Sequence, residues 1–161
     1  MERKSHWETV FTTKDSTQVS WYQQHLGMSL RLIEKTNIPK SGHIIDVGGG
    51  TSTLVDDLLE AGYEGISVLD ISGAALQQAR SRLGSAGEKV NWLEADITRV
   101  ALPEHQYDLW HDRAVFHFLT DAEDRRRYVE QVKHALKPEG HIIVATCAAD
   151  GPSRCSGLDT V

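Results

Sequence analysis

Only two cysteines, Cys147 and Cys155, occur in the 161 residues, and both lie near the end of the chain. Two thiols without a framework exclude a disulfide-stapled scaffold and fit a reducing, cytoplasmic location. Proline is scarce, at four residues, and no low-complexity tract or internal repeat is present. The apolar runs are only strand-length, so no transmembrane helix is predicted and no membrane partner is expected. The opening Met1-Glu2-Arg3-Lys4-Ser5-His6 leads into no apolar block, unlike a secretory signal. Positive charge is also in deficit, with 17 Lys and Arg against 23 Asp and Glu and a net charge of −6. The imbalance is spread over both halves, which leaves no basic arm for nucleic acid. The run Arg125-Arg126-Arg127 follows Asp121, Glu123 and Asp124 on one predicted helix and reads as a solvated, ion-paired face. His111 and His117 lack a third ligand at zinc spacing, so no metal is expected.

What is present is a regular alternation of two hydrophobic periods. Ile44, Ile45 and Val47 make a buried strand, then Leu54, Val55, Leu58 and Leu59 recur at helical spacing up to Gly62. A second strand, Gly65 to Asp70, leads to Ser72, a good N-cap for a helix burying Ala75, Leu76, Ala79 and Leu83. Strands are predicted at Val90 to Glu94 and Tyr107 to His111. Thr120 to Glu123 has capping-box spacing and opens a helix with Val129, Val132 and Leu136 on one side. Lys137 to Gly140 reads as a turn, and His141 to Cys147 as a fifth strand. The pattern predicts an α/β, Rossmann-like three-layer sandwich with a mostly parallel sheet. Ligands in such sheets sit beyond the strands' carboxyl ends, which selects residues 46–52, 70–72, 95–98 and 111–117.

The first strand ends in Asp46-Val-Gly48-Gly49-Gly50-Thr51-Ser52. A dinucleotide fingerprint needs a third glycine at the sixth position of the turn, and Thr53 stands there, although Asp70 lies 22 residues after Gly48. The stretch resembles more closely the cofactor loop of class I S-adenosylmethionine-dependent methyltransferases, with Ser52 in place of their usual third glycine. Val68-Leu-Asp70-Ile71-Ser72 resembles that family's second motif, Glu94-Ala-Asp96-Ile97 its third, and Tyr107-Asp-Leu-Trp-His111 its fourth strand. Ala135-Leu-Lys-Pro-Glu-Gly140 followed by His141-Ile-Ile-Val144 resembles the approach to its fifth strand. The four motifs stand in the family's order.

The resemblance implies S-adenosylmethionine as cofactor, S-adenosylhomocysteine as product, and a small molecule or a protein side chain as methyl acceptor. Gly48, Gly49, Gly50 and Ser52 are expected to hold the methionine part, with Asp46 orienting the loop or meeting the ammonium through water. Asp70 is expected to accept the ribose hydroxyls, Ile71 to offer adenine an apolar edge, and Asp96 with the Ile97 backbone to bond the base. Asp70 and Asp96 can instead simply cap the segments that follow them. Asp112 and Arg113 are expected at the methionine end. His117 is the candidate base or acceptor-orienting group, against a reading as a buried residue satisfied by a backbone carbonyl. No Asn/Asp-Pro-Pro-Tyr/Phe motif follows the fourth strand, which argues against nucleobase amino methylation.

Residues 1–40 form a helical and aromatic lead, and 41–161 the cofactor-binding domain. The lead (Trp7, Phe11, Trp21, Tyr22) resembles that of small bacterial methyltransferases and some protein-lysine methyltransferases. Trp21 or Tyr22 can present a π face to a sulfonium, the lead acting as a lid, or Trp21 can plug the core. The family's sheet has two further strands in an antiparallel hairpin, and that hairpin is expected to be missing here. The fifth strand is then an exposed edge, expected in a fragment or covered in a homodimer. A cofactor-binding module without catalysis and a nucleotide-dependent dehydrogenase are the alternative readings.

Overall fold

Successive side chains of a strand face opposite sides of its sheet, and the centre of this fold follows from two adjacent isoleucines. The computed structural model describes residues 3–161. Helices α1 (Arg3–Thr13) and α2 (Gly27–Lys35) precede β1 (His43–Val47), α3 (Leu54–Glu60), β2 (Gly65–Asp70) and α4 (Gly73–Leu83). A 3₁₀ turn leads to β3 (Asn91–Glu94) and β4 (Tyr107–Arg113); α5 (Ala122–Ala135) and β5 (Leu136–Ala145) complete the main layer. Ile44 packs with Leu54, Leu58, Ile66 and Leu109 in one buried cluster. Ile45 and Val47 join Leu69, Trp110, Tyr128 and Val132 in a second. A strand buried on both faces is what a parallel sheet between helices requires.

The five strands lie in the order β3-β2-β1-β4-β5, and every pairing is parallel. The chain runs outward from β1 through β2 to β3, then returns to build β4 and β5 on the other side. The strand order therefore reverses beside β1, where the glycine turn begins, the usual position of a ligand crevice. The expected sandwich is the observed one. Among the described residues no further strand pairs with the outer edge of β5. A small hairpin does form after it, β6 (Arg154–Cys155) against β7 (Leu158–Asp159), but as a separate two-stranded sheet. The expected absence of a hairpin is corrected to that extent.

Several local expectations are sharpened. Ser72 caps α4 as predicted, its hydroxyl accepting from the Ala75 N–H. The cap of α5 is Asp121 rather than Thr120, because its carboxylate accepts from the N–H groups of Glu123 and Asp124. Val129 is exposed, and Tyr128, Val132 and Ala135 form the buried stripe instead. Lys137 to Gly140 interrupt β5 as a bulge, where the register against β4 slips between Leu136 and His141 and Glu139 adopts φ 62°. The missed element is α1.

Beneath the end of β4, Asp112 is fully buried and saturated. It accepts from the backbone N–H groups of Val115 and Phe116 and from the Tyr128 hydroxyl at 2.6 Å. Tyr128 in turn accepts from the Trp110 indole N–H at 2.9 Å. Burial still pushes the Asp112 carboxyl up to about 6. Tyr128→Phe strands the indole donor and removes one acid partner, a loss of roughly 1–3 kcal/mol. Urea denaturation should read that decrease, and an unchanged midpoint would mean the network contributes nothing to stability.

Candidate functional site: the cleft at the strand ends

The glycine turn takes its shape from two positive φ angles, 70° at Gly48 and 37° at Gly50. Side chains are strained there. A Cβ on Gly50 would also stand 2.7 Å from Asp70 Oδ2, and one on Gly48 would collide with Val115. The N–H groups of Gly48 and Gly49 both reach the Leu69 carbonyl, which seats the turn over the end of β2. Thr53, the residue that breaks the dinucleotide fingerprint, uses its hydroxyl to hold the Gln23 carbonyl and so ties the turn to the N-terminal segment.

Two adjoining cavities open around this turn. The larger, about 880 Å³ with its open mouth, is lined by Gly48, Asp70, Ile71, Asp96 and Ile97 together with Trp7, Phe11, Trp21, Arg113 and Phe118. The smaller is lined by Asp46, Gly48, Gly49, Gly50, Ser52, Tyr22 and His111. Phe11, Trp21, Gly48 and Arg113 line both, so these four stand at the junction. All but two of the site positions expected from the sequence, cofactor-binding and catalytic together, thus line one or other of these adjoining cavities. The first exception is Asp112, which lines neither cavity. It faces away from the crevice because Asp46 and His111 share one sheet face, and Asp112, one residue on, must take the other.

His117 is the second departure. It is 2% exposed and lies outside the linings of both cavities. Its Nδ1 accepts from the Cys147 backbone N–H at 3.2 Å, so Nε2 carries the proton, and that nitrogen has no partner. Burial lowers its pKa. The ring supports Phe118 edge-on at 4.3 Å between centroids, and Phe118 faces the cleft.

The acids differ in how far the protein satisfies them. Asp96 Oδ1 accepts from the Thr98 N–H and hydroxyl, capping the turn after β3 while lining the cleft. Capping and cleft-lining therefore coexist in one side chain. Asp70 Oδ1 accepts from the Ser72 N–H. Burial pushes the Asp70 carboxyl up to about 7, and the neighbouring charges of Asp46 and Glu8 add to the rise. An acid so placed gains from hydroxyl donors.

The sequence pattern named Trp7 and Phe11 in a possible lid but did not set them on a helix of their own. Trp7 and Phe11 are one helical turn apart, a signal present but diluted by the polar residues between them. Their rings stack at 5.9 Å, and Trp7 meets Trp21 and Phe118 edge-to-face at 6.0 and 5.2 Å. The Glu8 carboxylate accepts from the Gly73 and Ala74 N–H groups at the start of α4, and His6 bonds the Ser156 carbonyl. Among the described residues no group of three or more His, Cys, Asp or Glu is placed to hold a metal ion, and no helix is long and apolar enough to cross a membrane.

The raised Asp70 pKa has a consequence for stability. A carboxyl whose folded pKa lies above its unfolded value binds more protons when folded, so stability falls as pH rises from about 4 to about 7. Asp70→Asn should therefore melt roughly 5 °C above the wild type at pH 8 and level with it near pH 4. Scanning calorimetry at both pH values reads this, and equal melting temperatures at pH 8 would contradict it.

Comparison with known proteins agrees with the geometry. A family model described as a methyltransferase domain matches residues 44–140. The mouse (Mus musculus) eEF1A lysine and N-terminal methyltransferase is 27% identical over 139 residues, 86% of this chain but 19% of that protein. The Danio rerio EEF1A lysine methyltransferase 2 is 25% identical over 158 residues, covering 89% of this chain and 68% of the relative. An S-adenosylmethionine-dependent methyltransferase from Mesorhizobium loti superposes with TM-score 0.60 at 27% identity, over 74% of this chain and 51% of its own. The glycopeptide N-methyltransferase MtfA, solved with S-adenosylmethionine, shares the fold with TM-score 0.65 at 19% identity, over 81% and 54% of the two chains. The chain thus spans about half of these solved structures and a fifth of the mouse relative. A glycine turn, a strand-end acid and a family match over more than half the length leave no place for the dehydrogenase reading, and the chain belongs to the methyltransferase-domain family of class I S-adenosylmethionine-dependent methyltransferases.

Proposed function

We propose that this protein binds S-adenosylmethionine across the two joined cavities and methylates an amine nitrogen, on a protein side chain or a small molecule. The observation that carries the reading is the junction itself. Ribose and adenine groups belong at Asp70, Ile71, Asp96 and Ile97, and the amino-acid end at Asp46 and the glycine turn. The segment between these ends would then lie against Phe11, Trp21, Gly48 and Arg113, which line both cavities. When bound, the cofactor supplies a methyl group already activated by a sulfonium.

The chain's residues do the rest by placement and by exclusion of water. Asp70 would accept from the ribose, and the Asp96 carboxylate and the Ile97 N–H would meet the base. Trp21 turns an electron-rich aromatic surface to the positive centre. Arg113, whose guanidinium donates to the Trp21 carbonyl at 2.9 Å, fixes that wall. Tyr22 and Ser52 close the smaller cavity. The stretch from α1 to Tyr22 acts as a lid whose inner face is Trp7, Phe11 and Trp21.

An amine acceptor fits this wall. Aromatic surface attracts ammonium groups, and desolvation there favours the neutral amine that can attack. The printed names of the mouse and Danio rerio relatives, which are lysine methyltransferases, support the same acceptor class. A dedicated base is not required, and His117 is assigned a supporting role under Phe118. A homodimer through the outer edge of β5 is a further proposal, supported by the exposed Ile142 and Val144.

Calorimetry should detect S-adenosylhomocysteine binding, and a lysine-containing peptide panel should receive methyl groups from S-adenosylmethionine. Binding without transfer to any acceptor would favour a non-catalytic cofactor module, and absence of binding would sink the reading. His117→Asn, which retains an acceptor for the Cys147 N–H, should keep the rate within about tenfold of the wild type, whereas loss of a general base lowers rates roughly 10²–10⁴-fold. A drop into that range restores His117 as the base.

A further inference from the structure

The pairing of β1 with β4 sets Asp46 directly beside His111. His111 Nδ1 meets Asp46 Oδ1 at 2.7 Å, and its Nε2 meets the Ser29 hydroxyl of α2 at 2.9 Å. All three side chains are more than nine-tenths buried. The order Ser-His-Asp has the outline of a nucleophilic relay, yet Ser29 lines neither cavity, so no substrate reaches it. The working end of this chain of contacts is the other one.

Asp46 Oδ2 is buried and makes no hydrogen bond. The residue lines the smaller cavity, and a Cβ on Gly49 would stand 2.6 Å from that same oxygen. An unpaired carboxylate oxygen pressed against a glycine turn is costly unless a donor arrives from the cavity. It cannot simply rotate away, because Oδ1 is tied to His111 and His111 is tied to Ser29. The pair holds one oxygen so that the other stays presented to the turn.

We propose that His111 and Ser29 are positioning residues that fix Asp46 so that its Oδ2 receives the ammonium of the cofactor's amino-acid end. This rests on the reading that the cavities hold S-adenosylmethionine. It assigns the paired strands β1 and β4, through one buried histidine, to recognition of the amino-acid end alone. The adenosine end would meet Asp70 and Asp96, neither of which shares a hydrogen bond with His111, Ser29 or Asp46.

The test compares two ligands by calorimetry: S-adenosylhomocysteine, which has the ammonium, and 5′-methylthioadenosine, which lacks the whole amino-acid end. His111→Leu should weaken S-adenosylhomocysteine about 10- to 100-fold, the range of a hydrogen bond to a charged group, and change 5′-methylthioadenosine no more than about twofold. His111→Asn, whose amide nitrogen can stand where Nδ1 does, should recover most of the loss, and Ser29→Ala should show a smaller loss of the same selectivity. If His111→Leu does not fold, Asp46→Asn must show the same split. Equal weakening of both ligands, which a merely structural role predicts, overturns the proposal, as does undiminished S-adenosylhomocysteine affinity. Wild-type protein that binds neither ligand overturns instead the cofactor reading beneath it.

Discussion

Buried negative charge is the constraint around which this fold is arranged. Asp46, Asp70 and Asp112 end three neighbouring parallel strands, and each has lost nearly all contact with water. An isolated buried carboxylate is expensive, so each must be compensated by hydrogen bonds or by a ligand. The degree of internal compensation sorts them. Asp112, with two backbone donors and a phenol, is complete and serves the scaffold. Asp70 is met only by backbone N–H groups, Asp46 is bonded on one oxygen by His111 while its other oxygen has no partner, and both border the cavities. What the protein leaves unsatisfied is what a cationic, hydroxyl-rich cofactor can supply.

The N-terminal helix completes that environment from above. It contributes an aromatic inner face through Trp7 and Phe11, and it is anchored at its polar edge by Glu8 on the start of α4. That carboxylate takes the place on the helix N-terminus where an anion is favoured. It also adds to the field that raises Asp70. Roof and floor are therefore electrostatically coupled: a cofactor that donates to Asp70 relieves a strain to which the roof contributes.

Much of this was legible in the sequence because it is local. Glycines at the end of an apolar strand, acids at the ends of the next two, and Ser72 ahead of its helix each announce themselves within a few residues. What stayed hidden depends on partners far along the chain. Asp112 reads as a cleft residue until Tyr128 of α5 is placed beneath it. His117 reads either as a candidate base or as a buried residue, and only the Cys147 backbone, donating to its Nδ1, decides for the buried one. Alternation along β4 already held part of the answer, since His111 and Asp112 cannot face the same side. The bounds of helix α1 escaped because its apolar side is narrow, Trp7, Val10 and Phe11 among polar neighbours, although the aromatic lead as a whole reads as a possible lid.

The strand order carries a consequence for how the site comes into being. Asp46 and His111 touch across 65 residues of sequence, and everything between them must be wound out to β3 and back before β4 can slot in beside β1. Long-range parallel pairings of this kind are slow to form. The Asp46–His111 side of the cleft therefore closes the longer loop, whereas the β1–β2 half, with its glycine turn and Asp70, needs only one local crossover. A ligand held on that side would act as a latch on a nearly finished chain, and would slow unfolding far more than it hastens folding.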